Sequence, residues 1–143
     1  MDAPLREYRS KRDFSRTPEP DDGALDDAPF FVVQEHHASR FHHYLRLLID
    51  GTLKSWAVPK GVPEEPKVRR LAVQTEDHPA SYASFEGTIP AGQYGAGTVR
   101  IFDRGGLEIK EREEGKIVFD MKGARLNGTY ALVRLKGQGK RDD

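Results

Sequence analysis

The sequence predicts an all-β fold: a small single-domain β-barrel of about eight short strands, with an irregular or partly helical N-terminal arm. Three observations point there. Short apolar stretches alternate with Gly, Asn and Asp turn pairs, and no long segment keeps a helical period. The first 29 residues, by contrast, are polar, proline-bearing and acidic toward their end. Residues 1–29 are therefore read as an arm contributing to the site, and 30–143 as the barrel domain.

In the arm, Leu5 and Tyr8 at i, i+3 can begin a short helix that Pro18 would stop. The strands follow as "FFVVQ" (30–34), "RFHHYLRLLI" (40–49), "LKSWAVP" (53–59), "RLAVQT" (70–75), "TVRIF" (98–102), "GLEIKE" (106–111), "KIVFDM" (116–121) and "GTYALVRL" (128–135). Asp50-Gly51, Gly105-Gly106, Glu114-Gly115 and Asn127-Gly128 are the expected reversals. The glycine-rich "IPAGQYGAGTV" (89–99) lacks the Gly-Lys-Ser/Thr ending and following helix of a nucleotide loop, and reads as a β-corner or wide loop.

Composition narrows the function. The 23 basic and 23 acidic residues cancel, so no global field advertises a nucleic-acid or membrane partner, although "EYRSKR" and "PKVRR" are locally basic. With no cysteine there is neither a disulfide framework nor a thiolate metal site. No apolar run approaches the ~18 residues of a membrane span, and Met1-Asp2-Ala3-Pro4 does not begin a signal peptide, so a cytoplasmic protein is expected.

Chemistry concentrates in "QEHHASRFHHYLR" (34–46), which holds four of the five histidines. On a regular strand Phe41, His43, Leu45 and Leu47 face one way, and His42, Tyr44, Arg46 and Leu48 the other. His36 shares the parity of His42, although "HASR" between them can be a turn. Imidazoles converging beside an arginine suit a divalent metal together with a phosphate, whose oxygens a guanidinium fork matches. The plainer alternative is a set of ordinary hydrogen-bonded or exposed histidines. The fifth, His78, lies in "TEDHPASYASFEG", where an Asp-His-Pro turn either presents an imidazole for proton transfer or packs over Tyr82 and Phe85.

Taken together, "YRSKRDFSRTPEP" (8–20), "FVVQEHHASRFHHYLRLLIDGTLKSWAVPKG" (31–61), "RLAVQTEDHPASYASFEGTIPAGQYGAGTV" (70–99) and, more loosely, "MKGARLNGTYALVRLKG" (121–137) resemble the 3'-phosphoesterase domain of bacterial DNA ligase D and its stand-alone relatives. The resemblance implies a small β-barrel enzyme that heals 3' ends at double-strand breaks. It would remove a 3'-terminal ribonucleoside to leave a 3'-phosphate, and then that phosphate to leave a 3'-hydroxyl. It implies Mn2+, or another divalent ion such as Zn2+ or Co2+. As partners it implies DNA or RNA/DNA 3' ends, Ku, a repair polymerase and a ligase.

The family's metal pattern of His, five residues, His, one residue, Asp, one residue, Arg is matched by His36, His42 and Arg46. Tyr44 stands where the aspartate belongs. The resemblance assigns His78, Tyr82, Arg46 and Arg12 to catalysis. It assigns Arg46, Arg70, Lys60, Tyr82, Gln34, Asp13 and Glu19 to phosphate or nucleic-acid binding, leaving His37 and His43 as bystanders. Loss of the aspartate predicts weakened metal affinity, with Glu76 or Asp77 as substitute carboxylates. It also raises the alternative of a degenerate member that binds ends without turnover. The family's further C-terminal strand is missing after "LVR", so an open barrel edge is expected, closed by the arm or by another subunit.

Overall fold

The computed structural model describes residues 5–16, 19, 29–38, 40–135 and 141–142. A short helix α1 (Arg6–Ser10) precedes strands β1 (Phe30–His37), β2 (Phe41–Ile49), β3 (Thr52–Val58), β4 (Ala72–His78), β5 (Gly87–Ile89), β6 (Gly97–Glu113), β7 (Lys116–Gly123), β8 (Asn127–Val133) and the two-residue β9 (Arg141–Asp142). All pair antiparallel in one sheet, ordered β8-β7-β6-β1-β2-β3-β4-β9, with β5 added to the start of β6. The sheet curls into a half-barrel, as an all-β chain with so little helix must if it is to bury apolar side chains. The arm helix forms as expected and ends at Ser10. Pro18 and the acidic stretch 20–27 lie outside the described residues.

Alternation along the strands gives each face its own apolar cluster. One face gathers Phe31, Val33, Leu45, Leu47, Trp56, Val58, Phe119, Met121 and Leu126. The other gathers Val32, Leu48, Leu53, Ala83, Phe85, Ile89 and Val99, and Tyr8 of α1 is buried against it. The arm is thus docked on the second face. Asp50 and Gly51, both at positive φ (54° and 82°), turn β2 into β3 as the pair predicts.

Two expected turns are not turns. Gly105-Gly106 lies inside β6, which runs unbroken through both "TVRIF" and "GLEIKE". A Cβ at Gly105 would strike the backbone of Lys122 on β7. The glycine permits close approach between strands rather than chain reversal. Asn127-Gly128 opens β8 instead of preceding it. The reversal sits at 124–126, where buried Asp103 accepts the N–H groups of Ala124 (3.1 Å), Arg125 (2.9 Å) and Leu126 (2.7 Å). The outer edge of β4 is partly covered by β9, through Ala72 opposite Asp142 and Val73 opposite Arg141.

Burial works to raise the Asp103 carboxyl, but the amides it accepts hold it below its ordinary 3.8. Its stabilisation is therefore complete above the unfolded-state value and fades as pH falls through the folded-state one. Asp103→Ala is expected to cost about 2 kcal/mol in urea unfolding at pH 7, since it strands the buried N–H of Leu126 and removes two part-buried bonds. Asp103→Asn should cost less, and its difference from wild type should shrink below pH 4.

Candidate active site

The register of β1 on β2 sets Gln34 opposite Tyr44 and His36 opposite His42. Val32, Gln34 and His36 share a face with Leu48, Arg46, Tyr44 and His42, so the second apolar cluster passes into a polar cleft along the same two strands. The end of β4, the 3-10 turn Ala80–Ser84, the 90–96 loop and the arm surround it. The cleft is lined by Arg12, Glu19, His36, Tyr44, Arg46, Thr75, Glu76, His78, Tyr82, Ile89, Tyr94, Gly95 and Val99.

Arg46 is its floor. It is 4% exposed, and its Nε donates to Gln34 Oε1 at 2.7 Å. Gln34 is fully buried, and its Nε2 donates to the carbonyls of Tyr82 (2.9 Å) and Phe85 (3.1 Å). One amide therefore fixes the guanidinium to the segment carrying Tyr82. The phenol rings of Tyr44 and Tyr82 lie 5.1 and 4.9 Å from Arg46 Cζ. Arg46 Nη1 has no partner, and burial pulls the group below its usual basicity. Thr75 Oγ1 and His36 Nδ1, also on cleft-lining residues, are likewise buried and unpartnered. Unmet polar atoms are costly when buried, and here they gather in one place.

Above the floor stands Arg12, presented by the described part of the arm that follows α1. Its Nε donates to Glu19 (3.0 Å), Nη1 to Tyr8 O (2.9 Å) and Glu76 (3.1 Å), and Nη2 to His78 Nε2 (3.4 Å). Tyr82 Oη donates to the same Glu19 carboxylate at 2.7 Å. Burial alone would raise the Glu76 carboxyl, but its hydrogen bonds and the charges of Arg12 and Lys11 hold it below 4.5. Asp77, the other carboxylate offered by sequence, pairs with Lys54 instead (2.9 Å).

His78 is 3% exposed, edge-on to Tyr8 (4.8 Å) and Tyr82 (4.7 Å). Its Nδ1 lies 2.9 Å from Glu76 O, and a carbonyl only accepts. Nδ1 therefore carries the proton, and the Nε2 lone pair faces the cleft. Burial first, then the charges of Arg46 and Arg12, push this imidazole well below 6.5, so it is neutral. A carbonyl also faces His36, whose Nε2 donates to Gly95 O at 2.9 Å, while its buried Nδ1 has no partner. Gly97 makes that contact possible, since a Cβ at its φ of 136° would come within 3.0 Å of His36 Nε2. His42, half-buried beside the cleft, also has an unpartnered Nδ1. Tyr44 is raised by burial and stays a neutral phenol. Among the described residues no three His, Asp or Glu side chains converge to hold a metal.

The remaining expected residues fall elsewhere. Asp13 is exposed and accepts from Ser15 N (3.1 Å) and Oγ (2.6 Å), forming a local turn. Arg70 donates to the carbonyls of Lys60 and Gly61 (3.0 Å to the latter), and Gly61 packs on His43, which faces away from the cleft. Lys60 and Arg70 thus stand behind the sheet. His43 accepts from Val62 N (3.0 Å), and His37 lies edge-on to Phe41 (4.8 Å); both are off the site, as expected. Glu76, one of the two carboxylates offered by sequence, lines the cleft, and so does Tyr94, with little warning from sequence. The signal for Tyr94 was its place among glycines, of which Gly92 and Gly95 have φ of 88° and 77°.

The family model for the DNA Ligase D 3'-phosphoesterase domain matches residues 34–134, the span that carries every residue lining the cleft except Arg12 and Glu19. The chain belongs to that family. It is 47% identical over 140 residues to the multifunctional non-homologous end joining DNA repair protein LigD of Mycobacterium tuberculosis, covering 93% of this chain and 18% of the relative. It is 48% identical over 150 residues to the LigD of Pseudomonas aeruginosa (96% and 17%). To that of Mycolicibacterium smegmatis it is 43% identical over 155 residues (96% and 20%). The chain spans about a fifth of the length of these curated relatives or less. None of its described helices is long and apolar enough to cross a membrane.

A buried neutral histidine in this phosphoesterase domain has a thermodynamic signature. The unfolded chain takes up a proton near pH 6.5 that folded His78 refuses, so stability should fall as pH drops below that value. His42 and His43 are shifted in the same direction and add to it. Urea midpoints between pH 7.5 and 5 should show a shallower decline for His78→Asn than for wild type.

Proposed function

We propose that the chain is a 3'-end-healing phosphoesterase acting on DNA or RNA/DNA ends. It would release a 3'-terminal ribonucleoside to leave a 3'-phosphate, and hydrolyse that phosphate to leave a 3'-hydroxyl. The observation that carries this reading is the unpartnered Nη1 of buried Arg46, on the floor of a cleft that also holds Arg12, His78 and Tyr82. A phosphate oxygen satisfies that donor and neutralises the buried charge at once.

The chemistry follows from the donor set. Water attacks phosphorus and the bond to the departing oxygen breaks, leaving inorganic phosphate and a 3'-hydroxyl, or a 3'-phosphate and a free nucleoside. Arg46 and Arg12 hold nonbridging oxygens as charge develops on them. For that, Arg12 turns donors from Glu76 and His78 toward the phosphate, which frees His78 Nε2. The neutral Nδ1–H tautomer makes Nε2 a proton acceptor for the attacking water, and the resulting imidazolium can protonate the departing oxygen. Tyr82, tied to Glu19, orients the pair rather than ionising, since burial holds its phenol well above 10.

Two features support a divalent ion: the orphaned Nδ1 atoms of His36 and His42 sit on cross-strand partners, and the His36 proton is fixed on the far nitrogen by a carbonyl. These two imidazoles would hold it, and when bound it would neutralise phosphate charge and lower the pKa of water. Tyr44 offers no anionic ligand. Free DNA ends, Ku, a polymerase and a ligase follow as partners of such an activity, with soluble cytoplasmic repair as its setting.

A primer-template ending in a 3'-phosphate or one ribonucleotide, incubated with manganese, tests the reading. Conversion to a 3'-hydroxyl is expected, and Arg46→Lys should lower kcat about a hundredfold or more while the protein stays folded. Retained binding with no product would instead indicate an end-binding member without turnover. In calorimetric titration with manganese, Tyr44→Asp should bind about tenfold tighter than wild type and His36→Ala should not bind. Equal affinity of wild type and Tyr44→Asp would remove the account of Tyr44.

A further inference from the structure

Tyr94 is at the tip of the glycine-rich loop that no role above accounts for. It lines the cleft, yet its side chain is 49% exposed, an unusual placement for a large ring beside a buried charged floor. The ring is not left to swing. Lys11 Nζ stands 4.8 Å over it and donates to its hydroxyl at 3.3 Å, and Arg12 Cζ lies 5.3 Å from its centre. On the cleft side, the neighbouring Gly95 is anchored by its carbonyl to His36. An aromatic face is therefore held at the mouth, one side chain away from the guanidinium that meets the phosphate.

From this placement we infer that Tyr94 forms a nucleobase subsite, on which the base of the 3'-terminal nucleoside stacks while its phosphate lies on Arg46 and Arg12. The inference rests on the phosphoesterase reading for the position of the phosphate. A base stands one sugar away from its 3'-phosphate, which matches the order floor, Arg12, Tyr94 along the cleft. Stacking accepts any base, as an enzyme of broken ends requires, because every base has a π-face. Lys11, bound to Glu76 (3.2 Å) as well as to Tyr94, adds positive charge at the same edge.

The test compares two oligonucleotides that differ only at the last residue: one carries a 3'-phosphate on an ordinary nucleoside, the other a 3'-phosphate on an abasic sugar. Binding by fluorescence anisotropy and phosphate release are both read for wild type, Tyr94→Phe and Tyr94→Ala. Wild type and Tyr94→Phe should bind the base-bearing end about tenfold more tightly. Tyr94→Ala should bind the two ends alike. If wild type does not distinguish the ends, or if Tyr94→Ala weakens both equally, the subsite is refuted. If wild type releases phosphate from neither end, the phosphoesterase reading fails, while the anisotropy comparison still decides for or against the stacking role.

Discussion

The cleft depends on burying one guanidinium. Arg46 is carried by β2 among residues that would otherwise extend an apolar face, and a lone charge there would be expelled. Three things keep it in place: the Gln34 amide on the facing strand, and two phenol rings, Tyr44 and Tyr82. Gln34 in turn ties down Tyr82 and Phe85, so the cation, its support and the wall of the cleft form a single hydrogen-bonded unit. None of these contacts satisfies Nη1, which leaves a buried donor of the floor without a partner.

Much of this was legible in the sequence because a strand's period of two leaves little freedom. The parity of His42, Tyr44 and Arg46 follows from their numbers alone, and the register of β1 on β2 brings His36 across the turn to the same face. The exclusion of His43 follows from its number too, since its position sends it to the other face. What the period cannot give is contact between distant segments. That Glu76 and not Asp77 reaches Arg12 depends on how β4 meets the arm, and a bulge between Leu53 and Ser55 shifts its register on β3. Gly105-Gly106 misled for a similar reason. A glycine pair signals either reversal or close approach, and only the position of β7 decides between them.

The residues assigned by resemblance divide instructively. His78, Tyr82, Arg46, Arg12 and Glu19 meet in one cleft although they come from β2, β4, the 3-10 turn and the arm. Arg70 and Lys60 do not join them. Arg70 closes the turn after β3 through two carbonyls, and Asp13 shapes a turn in the arm. These contacts lie outside the cleft, at the turn after β3 and in the arm.

Arg12 shares the cleft with the carboxylates Glu19 and Glu76, which already occupy it. Under the proposed function the two arginines would therefore meet a phosphate differently. At Arg12 the phosphate would displace an internal anion, and on its departure the carboxylates would reclaim the guanidinium. Arg46 has no such competitor, and its open donor alone would hold the product back.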